Sequence, residues 1–392
     1  MAALFQLVPL PVPILDFLSP ATRPTVAVLM LAPPSGAQPI TIDLPQSVVA
    51  VALFVAVAAL FFAAREVFSQ GGIRTVVRSL ALVGIVLSAI AIAQDATARG
   101  HIYWMWRPIH EGPAPFGPFV NRNHFGTWAI IAVPLYLGYL TAHAAAHRSP
   151  ASDAPWQSRL RAALDTRGAI LLIAGTVVIL AVAVSLSRSS MVGLAAALAC
   201  AGMLARRRIA ERALGSSRPA VLVAALGACS ALAIWLRVDV AVLTDRFSAT
   251  GVAAADRLLI WRDTMTVIRE FWLTGSGVGT FQTSMAIYQR SSPGVIYNQA
   301  HNHYLQVVSE GGLLVALPVA LALVTLVRHM IQSLQSDRSG MYWLRMGAAS
   351  GLCGVAVQSI WETGLTTPAN AALAAVAAAI VVHVPVRTGR IR

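Results

Sequence analysis

The chain contains no lysine: all 29 of its basic residues are arginine. Charge of either sign is scarce, 11% of 392 residues against 57% hydrophobic, a balance that excludes a soluble globular protein. Cysteine is nearly absent. Cys200, Cys229 and Cys353 lie in apolar runs with no CxxC pair, which argues against a disulfide framework or a structural zinc site. Clusters of Asp, Glu and His are missing as well. The nearest set, His301, His303 and Glu310, has its acid on the inner side of a span and away from the face of His301. No metal and no cofactor is expected.

What the chain has in abundance is apolar sequence in long runs. Runs of roughly 17 to 25 residues each suffice to cross a bilayer. They fall at 47–64, 78–94, 124–145, 168–186, 190–205, 219–236, 302–327, 343–361 and 368–384. The expected fold is all-α, a polytopic membrane helical bundle of about nine spans. Residues 1–46 are broken by proline into short apolar pieces and read as a non-cytoplasmic segment. No basic n-region precedes the first piece, which argues against a cleaved signal peptide. The remainder divides into six spans over 47–236, a loop subdomain over 237–300, and three spans with a tail over 301–392.

The arginines report topology. Arg65, Arg74 and Arg78, then Arg148, Arg159, Arg161 and Arg167, then Arg206, Arg207, Arg208, Arg212 and Arg218, then Arg328 and Arg338, then the tail, occupy alternate loops. The positive-inside rule places these loops in the cytoplasm, the N-terminus outside and the C-terminus inside. The net charge of +13 therefore needs no nucleic-acid partner, and membrane lipids are the expected surroundings.

In the long outer loop, residues 255–272 read as an amphipathic helix. Leu258, Trp261, Met265, Ile268 and Trp272 recur at three- and four-residue steps, with Arg257, Arg262 and Arg269 on the flanks. Such a helix lies along the membrane surface or caps the spans beneath it. The run GSGVGTF at 275–281 lacks the preceding strand and closing lysine of a nucleotide loop and reads as a turn-rich connection.

Polar residues gather at the outer boundary. Asn121, Asn123 and His124 stand at the mouth of the third expected span, where capping alone needs one of them. Arg188 sits in SLSRSS between two closely spaced apolar runs. Its planar fork suits phosphate oxygens, and the plainer alternative is an arginine reaching lipid headgroups. His301 and His303 open the segment that carries Glu310, and at about 100° per residue His303 and Glu310 share a face while His301 points elsewhere. Permanent cations at Arg188, Arg257 and Arg262 suit a diphosphate, and a histidine beside them suits general-base work on a hydroxyl. An outward-facing transferase has no nucleotide sugar at hand, so its donor must arrive activated in the membrane.

The set NRNHFG, SRSS, DRLLIWRDTMTVIREFWLTGSGVGTF and AHNHYLQVVSEGGLL resembles the bacterial O-antigen ligase and polymerase family over about residues 115–330. Two expected spans precede NRNHFG, where the family usually carries more. The resemblance implies a fold like the membrane glycosyltransferase class, with a large, partly helical periplasmic loop. It implies a metal-independent glycosyltransferase of the bacterial inner membrane, using an undecaprenyl diphosphate-linked glycan donor and a lipid A core or other glycan acceptor. Arg188, Arg257 and His301 correspond to the family's catalytic positions, the arginines engaging the diphosphate and the histidine activating the acceptor. Arg262 and Asn123 join as substrate-binding candidates by position, with His303 and Glu310 beside them. Polymerisation of O-antigen or exopolysaccharide, ligation to a protein hydroxyl, and a non-catalytic polysaccharide transporter subunit stay open as alternatives.

Overall fold

The computed structural model describes residues 1–32, 35–98, 101–107, 115–146, 165–211, 226–232, 234, 236, 250–291, 294–295 and 297–384. Half of the expected span at 219–236 lies outside the described residues, and so do Arg148, Arg159, Arg161, Arg212, Arg218 and the tail arginines. The described residues contain helices and isolated bridges but no strand. Among the described residues six helices are long and apolar enough to cross a bilayer, so the protein is a polytopic helical membrane protein.

By internal contacts the chain divides into two compact units. The first comprises Met1–Ala59, Ala249–Arg328 and Ser359–Thr363. It opens with three short helices, α1 (Ala2–Phe5), α2 (Val12–Leu18) and α3 (Thr22–Leu29), separated where proline and polar residues interrupt the apolar pieces. The first part of α4 (Leu44–Gln70) follows. After the second unit's α5 (Ile73–Thr97), α6 (Arg122–Ala146), α7 (Thr166–Val184) and α8 (Arg188–Glu211), the chain returns to the first unit. There it forms α9 (Thr250–Glu270), α10 (Phe281–Tyr288) and most of α11 (His303–Ser336). One core joins these pieces: Val26, Ile42, Ile260, Val267, Phe271, Phe281, Met285 and Ala300.

Helix α9 forms as expected but buries a different face. Its inward residues are Ile260, Asp263, Thr264 and Val267, followed by Phe271 just past its end, while Leu258, Met265 and Trp272 of the expected apolar stripe are exposed. Apolar residues stand on both sides of the helix, and the buried side is the one that also carries a capping acid. Asp263 accepts from the N–H groups of Arg290 and Ser291 at 3.0 and 2.9 Å and so ties α9 to the chain leaving α10.

Helix α11 is two helices. At Gly312 the backbone leaves helical geometry, with φ 54° and ψ −163°, so the apolar segment expected to run unbroken over 302–327 has a short arm, 303–311, and a long one. The groups freed at the break are taken up by residues 272–277. The N–H groups of Ser276 and Gly277 donate to the carbonyls of Ser309 and Glu310, and those of Leu313 and Leu314 donate to Trp272 and Leu273. Irregular backbone in a membrane segment is tolerated only when protein satisfies it in this way. Gln6 completes the patch, donating to the Thr274 and Glu310 carbonyls at 2.7 and 2.9 Å and accepting from Val278 N–H at 3.1 Å. The turn requires glycine at 275, where φ is +70° and a Cβ would stand 2.1 Å from the Glu310 carbonyl oxygen.

The second unit comprises Leu60–Ser248, His329–Gln358 and Gly364–Arg392. Its core centres on α6, packed against α12 (Met341–Gln358) so closely that a Cβ at Gly347 would lie 2.2 Å from the Pro134 carbonyl oxygen. The chain then forms α13 (Pro368–Val382), an apolar helix shorter than the six candidate spans among the described residues. Two arginines are buried here with partners: Arg208 lies 4.4 Å over the Tyr342 ring, and Arg345 donates to the His383 carbonyl at 2.8 Å.

Candidate active site

The first unit brings together two of the expected residues around one that the sequence did not single out. Glu362, in the short segment after α12, has a side chain with no exposure at all. Its carboxylate lies 3.2 Å from His301 Nδ1 and 3.8 Å from the Arg257 guanidinium. A buried carboxylate is stable only with such partners. Both partners stay partly open, His301 at 28% and Arg257 at 26% side-chain exposure, so each keeps a face for a substrate. In the tautomer that carries its proton on Nδ1, His301 donates to the Glu362 carboxylate and Nε2 presents the lone pair.

His301 occupies the left-handed region, with φ 47°. For a side chain other than glycine this costs about 1–3 kcal/mol, and it persists where the surroundings over-determine it. Asn302 follows as the cap of the short arm of α11, its Oδ1 accepting from Leu305 N–H at 3.0 Å. The sharp turn at His301 thus lies directly before a helix start.

The other candidates in this unit do different work. His303 donates its backbone N–H to the Ser359 carbonyl at 2.9 Å, and its buried Nδ1 has no hydrogen-bond partner among the described residues. Glu310 accepts from Gly279 N–H at 2.9 Å, Phe281 N–H at 3.3 Å and Gln306 Nε2 at 3.1 Å. Those contacts bind the GSGVGTF turn to the short arm of α11. Among the described residues His303 and Glu310 share no hydrogen-bond partner, and Glu310 ties the turn to the break. Arg262 is exposed and belongs to the outward stripe with Leu258 and Met265, while Arg257 faces Glu362.

The second unit holds Asn123 in a dense polar cluster at the start of the helix that Arg188 opens. Arg188 is the first residue of α8, two residues after Leu186, which turns at φ 51°. Ser187 Oγ donates to Asn123 Oδ1 at 2.6 Å and lies 2.6 Å from Ser190 Oγ. Beneath them Gln358, from α12, accepts from Thr127 Oγ1 at 2.8 Å. The start of α8 is thereby stitched to α6 and α12. Asn121 caps α6, accepting from Asn123 N–H at 2.8 Å, while His124 Nδ1 lies 2.8 Å from Thr367 Oγ1 and the His124 carbonyl accepts from Asn370 at 2.9 Å. Of three polar residues at this helix mouth, one caps and two tie other segments to it.

No curated protein and no solved structure matches the chain. Residues 166–320 match the family model described as O-Antigen ligase, a stretch that holds Arg188, Arg257 and His301, and over that stretch the chain is similar to the O-antigen ligase family.

Proposed function

We propose that the protein transfers a glycan from undecaprenyl diphosphate to an acceptor hydroxyl, in the first instance on lipid A core, at the periplasmic face of the bacterial inner membrane. The observation that carries this reading is the shared contact of His301 and Arg257 with buried Glu362. It sets a base and a permanent cation against one fixed carboxylate and leaves both partly open.

In the proposed step, the acceptor oxygen attacks the anomeric carbon as its proton passes to His301 Nε2. The bond from that carbon to the diphosphate oxygen breaks, and undecaprenyl diphosphate leaves with the bonding electron pair. Arg257 and Arg188 engage the diphosphate and stabilise the charge that grows on it. Glu362 holds the imidazole in the tautomer that accepts the proton and stabilises the imidazolium that results. Arginine supplies the countercharge that a metal would otherwise provide, so the reaction is metal-independent. The N-terminus lies on the periplasmic side and the C-terminus in the cytoplasm, following the arginine-rich loops.

The test is a reconstitution of the full chain in proteoliposomes with a lipid-linked glycan and three acceptors: lipid A core, a growing polysaccharide and a protein hydroxyl. Labelled glycan should appear on lipid A core, and Arg188→Ala should abolish it. Lengthening of the lipid-linked chain alone would make the protein a polymerase, and product undiminished in Arg188→Ala would remove that residue from the mechanism.

A further inference from the structure

The backbone immediately before His301 is clamped at both of its polar groups. Ala300 is fully buried. Its N–H donates to Gln306 Oε1 at 3.2 Å, and its carbonyl accepts from Trp261 Nε1 at 3.0 Å. Gln306 is itself held, its Nε2 donating to Glu310, which the turn at 279–281 anchors in place. Trp261 stands one helical turn beyond Arg257 on α9, so one stretch of that helix meets both Glu362 and Ala300. The residue that follows the clamp is the one with left-handed φ.

We infer that Trp261 and Gln306 are positioning residues for His301. They fix the Ala300 peptides so that the chain turns at His301, brings Nδ1 onto Glu362 and leaves Nε2 open to the acceptor hydroxyl. For Trp261 the active part is the indole N–H rather than the ring volume, and for Gln306 it is the carbonyl oxygen of the side-chain amide. The inference rests on the proposed role of His301 as the base. Neither residue is asked to touch the donor.

The experiment measures kcat and the KM for lipid-linked donor with the full chain in proteoliposomes. Trp261→Phe and Gln306→Leu should each lower kcat about tenfold, the worth of one lost hydrogen bond, with KM for the donor unchanged. The two losses should not add, because both act on the same short stretch of backbone. Replacing Trp261 with benzothienylalanine, which keeps the shape of the indole and lacks its N–H, should reproduce the loss and guards against a variant that fails to fold. Trp272→Phe, at an exposed position, should behave as the parent does. A parental kcat in the benzothienylalanine protein would overturn the inference by showing that ring volume is what matters. A rise in KM with kcat unchanged would overturn it too, because it assigns these residues to donor binding. His301→Ala separates the two layers: turnover that survives it defeats the general-base reading itself. A dead His301→Ala beside fully active Trp261 and Gln306 variants defeats only the positioning role.

Discussion

At the scale of single residues, the account turns on Glu362. A carboxylate with no exposed surface is retained only at a cost in desolvation, and here a histidine and an arginine offset it. Glu362→Gln keeps the shape and removes the charge, so it should fold and reach the membrane in normal amount while turnover falls by about 10²-fold or more. Turnover within threefold of the parent, measured on protein quantified in the membrane, would remove Glu362 from the mechanism. His301 and Arg257, which meet at Glu362, stand out in the sequence as candidates, as does Arg188, because loop-borne arginine and histidine at the edges of apolar runs have few structural uses. Glu362 was not. It lies 61 residues beyond His301, at the end of an expected span, and no periodicity connects the two. The choice between His301 and His303 was also open, since helical spacing favoured a pairing of His303 with Glu310. The structure spends Glu310 on the 279–281 turn and gives His301 its own carboxylate.

At the scale of elements, the long apolar runs were readable because hydrophobic length alone demands a helix in a bilayer. The break in α11 was hidden by the same averaging, since a glycine pair barely alters the apolar character of a long run. A broken helix is also what a transporter reading leads one to expect. In this protein the freed carbonyls and N–H groups at the break are bonded to residues 272–277, and Gln6 takes one of the carbonyls again. Gly312→Ala should therefore be severe, because φ is +54° and a Cβ would lie 2.3 Å from Gly275 N. The expected loss is about 2 kcal/mol or more of stability, read as a fall in the melting temperature of detergent-solubilised protein. Gly294→Ala, with nothing within 4 Å of the added Cβ, should melt as the parent does. Equal melting of Gly312→Ala and the parent would contradict the bonded break. Helix α9 carries a related lesson: its sequence offered two apolar faces, and the placement of Asp263 against Arg290 and Ser291 goes with the face that is buried.

At the scale of the whole molecule, composition settled the class, and the arrangement of arginines carries the proposed orientation. A cysteine-free version, with Cys200, Cys229 and Cys353 replaced by serine, can carry one new cysteine at a time. Glu270→Cys, at the exposed end of α9, should react with a membrane-impermeant maleimide added outside intact cells. Arg206→Cys should react only after the membrane is opened. Labelling of both positions from one side would overturn the orientation, and with it the reason for a lipid-linked donor.

The most direct measurement separates donor capture from transfer. Purified parent, His301→Ala and Arg257→Ala proteins are each given labelled glycan on undecaprenyl diphosphate, and bound donor and transferred glycan are counted in a single turnover. The account predicts that His301→Ala holds the donor and transfers nothing, whereas Arg257→Ala loses both. Transfer by His301→Ala at the parent's rate would contradict it.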